Sequence, residues 1–265
     1  MPTQIGENHS KKTLKANELV GCMGVNQLRT PNIAMIAARA GFDAVYISTS
    51  STTRPRFNRR RGIRRGIGYG DHADRPGPPR MTRTMRLASW IEALSGSWCR
   101  TSRKPPGARA IVEACLYAPK GHRSAFGSGP QLGYAAIPQA EVCRVLNEQT
   151  LLMAMIETPE AVENADPIAA VDGIDVLHIG ASDLSTEMGI PGQYTHERMR
   201  AAFETVARAA KGHGKAMGVG GVRQDFEFQS WLLRLGVRYL TGGSDVGYIL
   251  SAGRADVKQL RELKL

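Results

Sequence analysis

The sequence predicts an α/β chain and, within that class, a (β/α)8 barrel. Short apolar runs of strand length alternate with helix-length runs over much of the 265 residues. That is the rhythm of parallel βα units whose strands are buried on both faces. Six such strands can be read directly, and the stretch between residues 47 and 107 has room for two more, which makes eight. A chain of this length supports one large core, so residues 1–265 read as a single domain.

The elements follow in order. Lys12 to Glu18 suits a short helix, and Val20–Val25 (VGCMGV) a buried strand. Thr30 and Pro31 suit the N-cap and first position of a helix over Ile33–Ala40, which Gly41 ends. Ala44–Ile47 (AVYI) is a second strand, and Ala108–Tyr117 is helical. Leu151–Ile156 (LLMAMI) and Asp175–Ile179 (DVLHI) are further buried strands, with His178 as a core histidine. Thr158-Pro159 starts a helix whose acids, Glu160 and Glu163, complement the helix dipole. His196–His213 is an amphipathic helix closed by Gly214, with His213 favourable in its last turn. Lys215–Val219 and Arg238–Leu240 are strands, Phe226–Leu235 is a helix, and a final helix covers Asp256 to Leu263.

Residues 48–106 break this rhythm. They hold fourteen of the 35 basic residues but three of the 24 acidic ones, so the whole net charge of +11 sits there and the rest of the chain is neutral. The segment contains six of the fourteen prolines, and no valine occurs between Val45 and Val112. RPRFNRRRGIRRG and DRPGPPRMTR carry neither helical nor strand periodicity. A basic run of this kind suggests a solvated insert or a nucleic-acid-binding loop, although few aromatics (Phe57, Tyr69, Trp90, Trp98) stand among the arginines. No apolar run is long enough to span a membrane, and the polar N-terminus lacks a signal peptide's apolar stretch. Cys22, Cys99, Cys115 and Cys143 are scattered without metal or redox spacing, as in a cytoplasmic protein with reduced thiols.

Two carboxylates stand at strand ends, the active face of such a barrel: Glu157 after LLMAMI and Asp183 after DVLHI. Such a pair suits a hard divalent cation that keeps water ligands, or else two solvated loop acids. His122 and Arg123 lie in a loop that suits either the active face or the surface. GVGG at 218–221 and TGGSD at 241–245 are glycine-rich strand ends that shape the active face or hold a phosphate.

Five fragments resemble the metal-dependent pyruvate aldolases of the HpcH/HpaI type. They are Leu14 to Ile47 with AGFDAVYI, YAPKGHRS at 117–124, MIETPEAVEN at 155–164, IDVLHIGASDLSTEMGIPG at 174–192 and GVRYLTGGSD at 236–245. The resemblance implies a TIM barrel of the phosphoenolpyruvate/pyruvate type, assembled as a homo-hexamer and using Mg2+, Mn2+ or Co2+. It implies that Glu157 and Asp183 ligate the metal and that backbone N–H groups at Ser182 and Asp183 hold the carboxylate of a 2-oxo acid. The implied reaction is aldol cleavage or condensation of 4-hydroxy-2-oxo acids, giving pyruvate and an aldehyde. It implies small-molecule partners, with no nucleic acid and no membrane. A CoA-ester lyase of the citrate-lyase β kind is the alternative enzyme, and a basic nucleic-acid-binding protein the alternative outside enzymes.

The sequence departs from the family where the basic segment begins. The family follows AGFDAVYI with Asp-x-Glu-His, whose His is the catalytic base; here Ser51 stands at the His position, so no catalytic residue is intact. Met155 replaces a common Gln and Ala181 a common Pro. The genetic code offers a reason. Ser48–Thr53 can be encoded so that the frame one base earlier reads Leu-Asp-Leu-Glu-His-Asp. Gly70–Pro76 read one base later can supply the family's Val-Arg strand, near but not at Arg75. Ser89–Pro106 read one base earlier can supply the fourth strand. Residues 48–106 are thus expected to be a frame-shifted stretch that corrupts strands three and four.

Overall fold

The computed structural model describes residues 8–28, 30, 32–47, 97–99, 103–125, 135–223 and 225–263. Its centre is one curled sheet of strands β1 (Val20–Val25), β2 (Ala44–Ile47), β3 (Ser97–Cys99), β4 (Leu152–Ile156), β5 (Val176–Gly180), β6 (Ala216–Gly220) and β7 (Val237–Ser244). Every pairing is parallel and the order is β2-β1-β7-β6-β5-β4-β3. The last strand lies beside the first, as it does when successive βα units wind around a barrel. The chain that would join β2 to β3 lies outside the described residues.

β1, β2 and helix Phe226–Leu235 fall where the sequence places them, and β4 to β6 within one residue. β3 lies in the basic segment, where the count of eight leaves room for two strands: Ser97, Trp98 and Cys99 pair with Leu152, Met153 and Ala154 of β4. The backbone supplies the ladder bonds whatever the side chains are.

β1 and β4 are apolar because nearly all of their residues are buried on both faces. Leu152, Ala154, Ile156, Leu177, Ile179 and Val219 point outward into a layer of helices. That layer includes α3 (Pro105–Cys115), α5 (Pro159–Glu163), α6 (Ala165–Ala169), α8 (Glu197–Gly212) and α9 (Phe226–Leu235), and the chain also forms α4 (Gln139–Gln149) and α7 (Ala181–Glu187). Val20, Cys22, Ala44, Met153, Val176 and Tyr239 point inward and pack on one another inside the curl. Burial pushes the Cys22 thiol up to about 12, so it is an inert core group.

Helix α1 (His9–Lys15) closes the end of the curl away from the strand C-termini. It starts three residues before the position read from sequence because Asn8 caps it, accepting from the Lys11 amide at 3.0 Å. Asn8 donates to the Gln149 carbonyl (2.8 Å), and Lys11 reaches the Thr150 carbonyl (2.6 Å) and Asp175 (3.1 Å). Helix α2 (Ile33–Arg39) has Asn32, not Thr30, at its N-cap, and Asn32 makes no side-chain cap bond; Pro31 is outside the described residues. Thr158 caps α5 through the Ala161 amide (3.2 Å), and His213 sits at the C-cap of α8 with its ring 3.0 Å from Asp166. Helix α10 (Asp245–Glu262) begins eleven residues earlier than its apolar pattern suggests. No helix among the described residues is long and apolar enough to cross a membrane.

His178 is fully buried, and that desolvation pushes its pKa down to about 3, so the ring is neutral. Its ring fills space left by two glycines of β6. A Cβ at Gly220 would stand 2.9 Å from His178 Nε2, and one at Gly218 would overlap Nδ1. Gly218→Ala should therefore destabilise the protein by about 1–3 kcal/mol through overpacking. Adding His178→Ala should recover part of that loss, read as non-additivity in urea unfolding.

Candidate active site

The site is built at the C-terminal ends of β4 and β5. Side chains alternate along a strand, so Met153, Met155 and Glu157 share the inward direction. Glu157 is the residue after β4 and is 3% exposed. Its carboxylate lies against Gly180, the last residue of β5. A Cβ at Gly180 would stand 3.3 Å from Glu157 Oε2 and 3.2 Å from Met155 Cε. Glycine at 180 thus makes the space that the carboxylate and thioether use.

From Gly180 the chain turns directly into α7, and no side chain caps that helix. Ala181, Leu184 and Ser185 are buried while Ser182 and Asp183 are exposed. Asp183 therefore stands on the open side of the same rim, three residues beyond the glycine that touches Glu157. The Ser182 carbonyl accepts from the Ser185 and Thr186 hydroxyls (3.0 and 2.8 Å), and its Oγ lies 3.2 Å from the Tyr194 hydroxyl. Gly221, at φ +92°, comes so close that a Cβ there would meet Ser182 Oγ at 2.8 Å and Ser182 N at 3.1 Å. Gly221 closes the GVGG strand end that the sequence places at the active face, whereas Tyr194 did not stand out in the sequence; the fold brings both to Ser182.

On the opposite side of the rim, Asp245 is buried at the start of α10. Its carboxylate accepts the backbone N–H groups of Asn26 (2.9 Å), Gln27 (2.8 Å), Leu28 (2.7 Å) and Val246 (2.8 Å). Burial pushes its pKa up, but the amides of Leu28, Asn26, Gln27 and Val246 outweigh it and hold the carboxyl below its ordinary value. The glycine-rich end of β7 therefore presents an acid already committed to the loop after β1, and it shapes the rim.

Of the loop pair, His122 is exposed and 3.9 Å from Glu113. Arg123 departs from the surface reading: it is 5% exposed, donates to the Cys115 carbonyl (3.3 Å) and lies over the Tyr117 ring at 4.9 Å. Ser51 and Arg75 lie outside the described residues. Among the described residues no group of three or more His, Cys, Asp or Glu side chains is placed to hold a metal. A cation here has the two carboxylates as its candidate protein ligands.

Residues 103–252 match the family model described as HpcH/HpaI aldolase/citrate lyase. The chain belongs to this family. As a member of the HpcH/HpaI family it is a carbon–carbon lyase. It is 31% identical over 236 residues to the 4-hydroxy-4-methyl-2-oxoglutarate aldolase of Hapsidospora irregularis, covering 85% of this chain and 84% of that protein. Its fold is similar to the HpcH/HpaI aldolase from Desulfitobacterium hafniense DCB-2, with TM-score 0.81 and 26% identity over 96% of this chain and 97% of that one. It is also similar in fold to a citrate lyase beta subunit from M. tuberculosis complexed with oxaloacetate and magnesium, with TM-score 0.54 and 15% identity over 87% and 93% of the two chains.

Asp245→Asn gives a test of the rim. Losing charge-assisted bonds to the loop should cost roughly 2–4 kcal/mol at neutral pH. A lowered folded pKa contributes stability that is complete above the unfolded carboxyl's pKa of about 3.9 and is lost as pH falls through the folded value. The gap in melting temperature between wild type and variant should thus be widest above about pH 5 and shrink below about pH 4.

Proposed function

We propose that this chain catalyses reversible aldol cleavage of 4-hydroxy-2-oxo acids to pyruvate and an aldehyde, with Glu157 and Asp183 holding a divalent cation. The observation that carries this reading is the buried Glu157 carboxylate lodged against Gly180 at the C-terminal rim, with Asp183 three residues further on. Among the described residues no third His, Cys, Asp or Glu completes a metal group with them, and two carboxylates form a hard oxygen donor set, which fits Mg2+, Mn2+ or Co2+ and leaves the other positions to water and substrate. When bound, the cation supplies Lewis-acid stabilisation of charge developing on the 2-oxo acid. The backbone N–H groups of Ser182 and Asp183 hold the substrate carboxylate and orient the C3–C4 bond. Cleavage breaks that bond as the 4-hydroxyl loses its proton, and its electrons pass to the pyruvate half. The aldolase relative, 31% identical along most of both chains, favours this reading over a CoA-ester lyase.

The proton needs a base, and Ser51 stands at the position where the family has one. We propose that residues 48–106 are a frame-shifted stretch and that the sequence as written is a weak metal binder and a poor aldolase. The family match supports this, because it starts at residue 103, where the arginine-rich run ends. Restoring the frame should restore aldolase activity; an uninterrupted gene encoding the arginines, confirmed in the purified protein by mass spectrometry, would overturn this.

We also propose that the chain forms a homo-oligomer, a hexamer by family resemblance. Helix α10 supports this. Asp245 is its buried residue, whereas Ile249, Leu250, Val257 and Leu260 are exposed along a helix about 27 Å long. A stripe of that size on a soluble protein needs cover, and a second copy supplies it symmetrically.

Two experiments test these readings. Glu157→Gln should abolish Mn2+ binding measured by electron paramagnetic resonance, and in the restored-frame protein should lower pyruvate release from a 4-hydroxy-2-oxo acid by at least about 100-fold. Mn2+ affinity unchanged in Glu157→Gln would defeat the assignment. Leu260→Glu should shift the protein to a smaller species in size-exclusion chromatography with light scattering; a monomeric wild type would refute the oligomer.

A further inference from the structure

The glycine pair of TGGSD, at the end of β7, is a socket for one tyrosine. The Gly243 amide donates to the Tyr248 hydroxyl at 2.7 Å. A Cβ at Gly243 would collide with Cζ, Oη and Cε1 of that ring, and one at Gly242 would stand 3.3 Å from Oη. The Phe42 ring packs against Tyr248 at 5.8 Å between centroids, tilted by 47°. The Gly243 amide is therefore already satisfied from within the chain and is not presented to a phosphate.

Tyr248 stands where α10 leaves the barrel. Asp245 is buried and Val246 half-buried, but every residue from Gly247 to Leu263 is exposed. The helix thus meets the barrel through its first turn alone. Its Gly247 amide bonds to Ser244 Oγ (3.3 Å), which closes the cap without giving the axis a direction. Asp245, bonded to the loop after β1, is one anchor to the barrel. Tyr248, three residues on and about 4.5 Å further along the axis, is the second. One anchor is a pivot, whereas two fix a direction. In a helix about 27 Å long, a tilt of about 10° moves the far end by about 5 Å.

We propose that Tyr248 sets the angle at which α10 presents Ile249, Leu250, Val257 and Leu260 to a second copy of this chain. This rests on the oligomer reading given under the proposed function, and adds to it the residue that aims the stripe. The exposure of every residue beyond the root shows that the chain's own barrel does not cover the helix, and a second copy offers the same surface in return. A surface held ready in one orientation associates more tightly than one that must first be ordered.

The test is sedimentation of the full chain over a dilution series, with helix content read by circular dichroism. Tyr248→Phe keeps the ring and removes its hydroxyl. It should raise the dissociation constant of self-association about tenfold with helix content unchanged. Gly243→Ala fills the socket and leaves Tyr248 in the chain. It should weaken association at least as much, and adding Tyr248→Phe to it should cost nothing more, because the same anchor is lost. Weakening in Tyr248→Phe but not in Gly243→Ala would make the hydroxyl a direct contact of the partner and overturn the positioning role. A dissociation constant in Tyr248→Phe within about twofold of wild type, or a loss of helix content in that variant, would overturn the inference alone. A wild-type chain that stays monomeric at every concentration would overturn the oligomer reading and this inference together.

Discussion

The Glu157 carboxylate packs against Gly180, where a Cβ would stand 3.3 Å from its Oε2 and crowd it. Adjacent parallel strands lie less than 5 Å apart, so an inward carboxylate at the end of β4 and any inward side chain at the end of β5 would claim the same volume. Glycine resolves the conflict in favour of the acid. It also ends the strand, so that the next residues turn at once into α7 and bring Ser182 and Asp183 to the rim. Gly180 is thus both the residue against which the acid packs and the one that precedes the helix carrying Asp183.

The same device recurs around the rim. Gly218 and Gly220 admit the His178 ring into the interior, and Gly221 admits Ser182. β6 therefore contributes little inward side-chain volume near its end. It lets β5 and α7 lean across it. Asp245 works in the opposite sense. Its two oxygens gather three consecutive amides of the loop after β1, and so hold the far wall in place. One side of the rim is shaped by close backbone approach and the other by a buried anion.

The strands were legible because burial on both faces leaves a continuous apolar run, as in VGCMGV, AVYI and LLMAMI. The strand-end placement of Glu157 and Asp183 was legible because each follows such a run. Helix α4 was not, since it buries only Val142 and Leu146 and shows too short an apolar stripe. The first half of α10 was obscured by Gly247 and Gly253, which weigh against helix in a propensity reading although the first turn is capped by Ser244. The role of Asp245 could not be read locally, because its partners lie more than two hundred residues away in the chain. Tyr194 is hidden for a related reason. Nothing in GIPGQYTH signals that two left-handed glycines return its hydroxyl to Ser182.

Charge supplies the last link between fold and chemistry. Outside residues 48–106 the chain has equal numbers of acidic and basic residues, and its whole net charge of +11 lies within that stretch. Locally the balance is unfavourable, because a 2-oxo acid brings its carboxylate to a rim that already carries Glu157 and Asp183. Like charges a few ångströms apart in a partly dry cleft repel by several kcal/mol. A site so composed recognises an anion only with a positive charge between the acids and the substrate. Under the proposed reading the acids would be ligands first, and the amides of Ser182 and Asp183 would meet a carboxylate whose charge is largely offset. Such an ordering would reconcile an acidic rim with a substrate of the same sign.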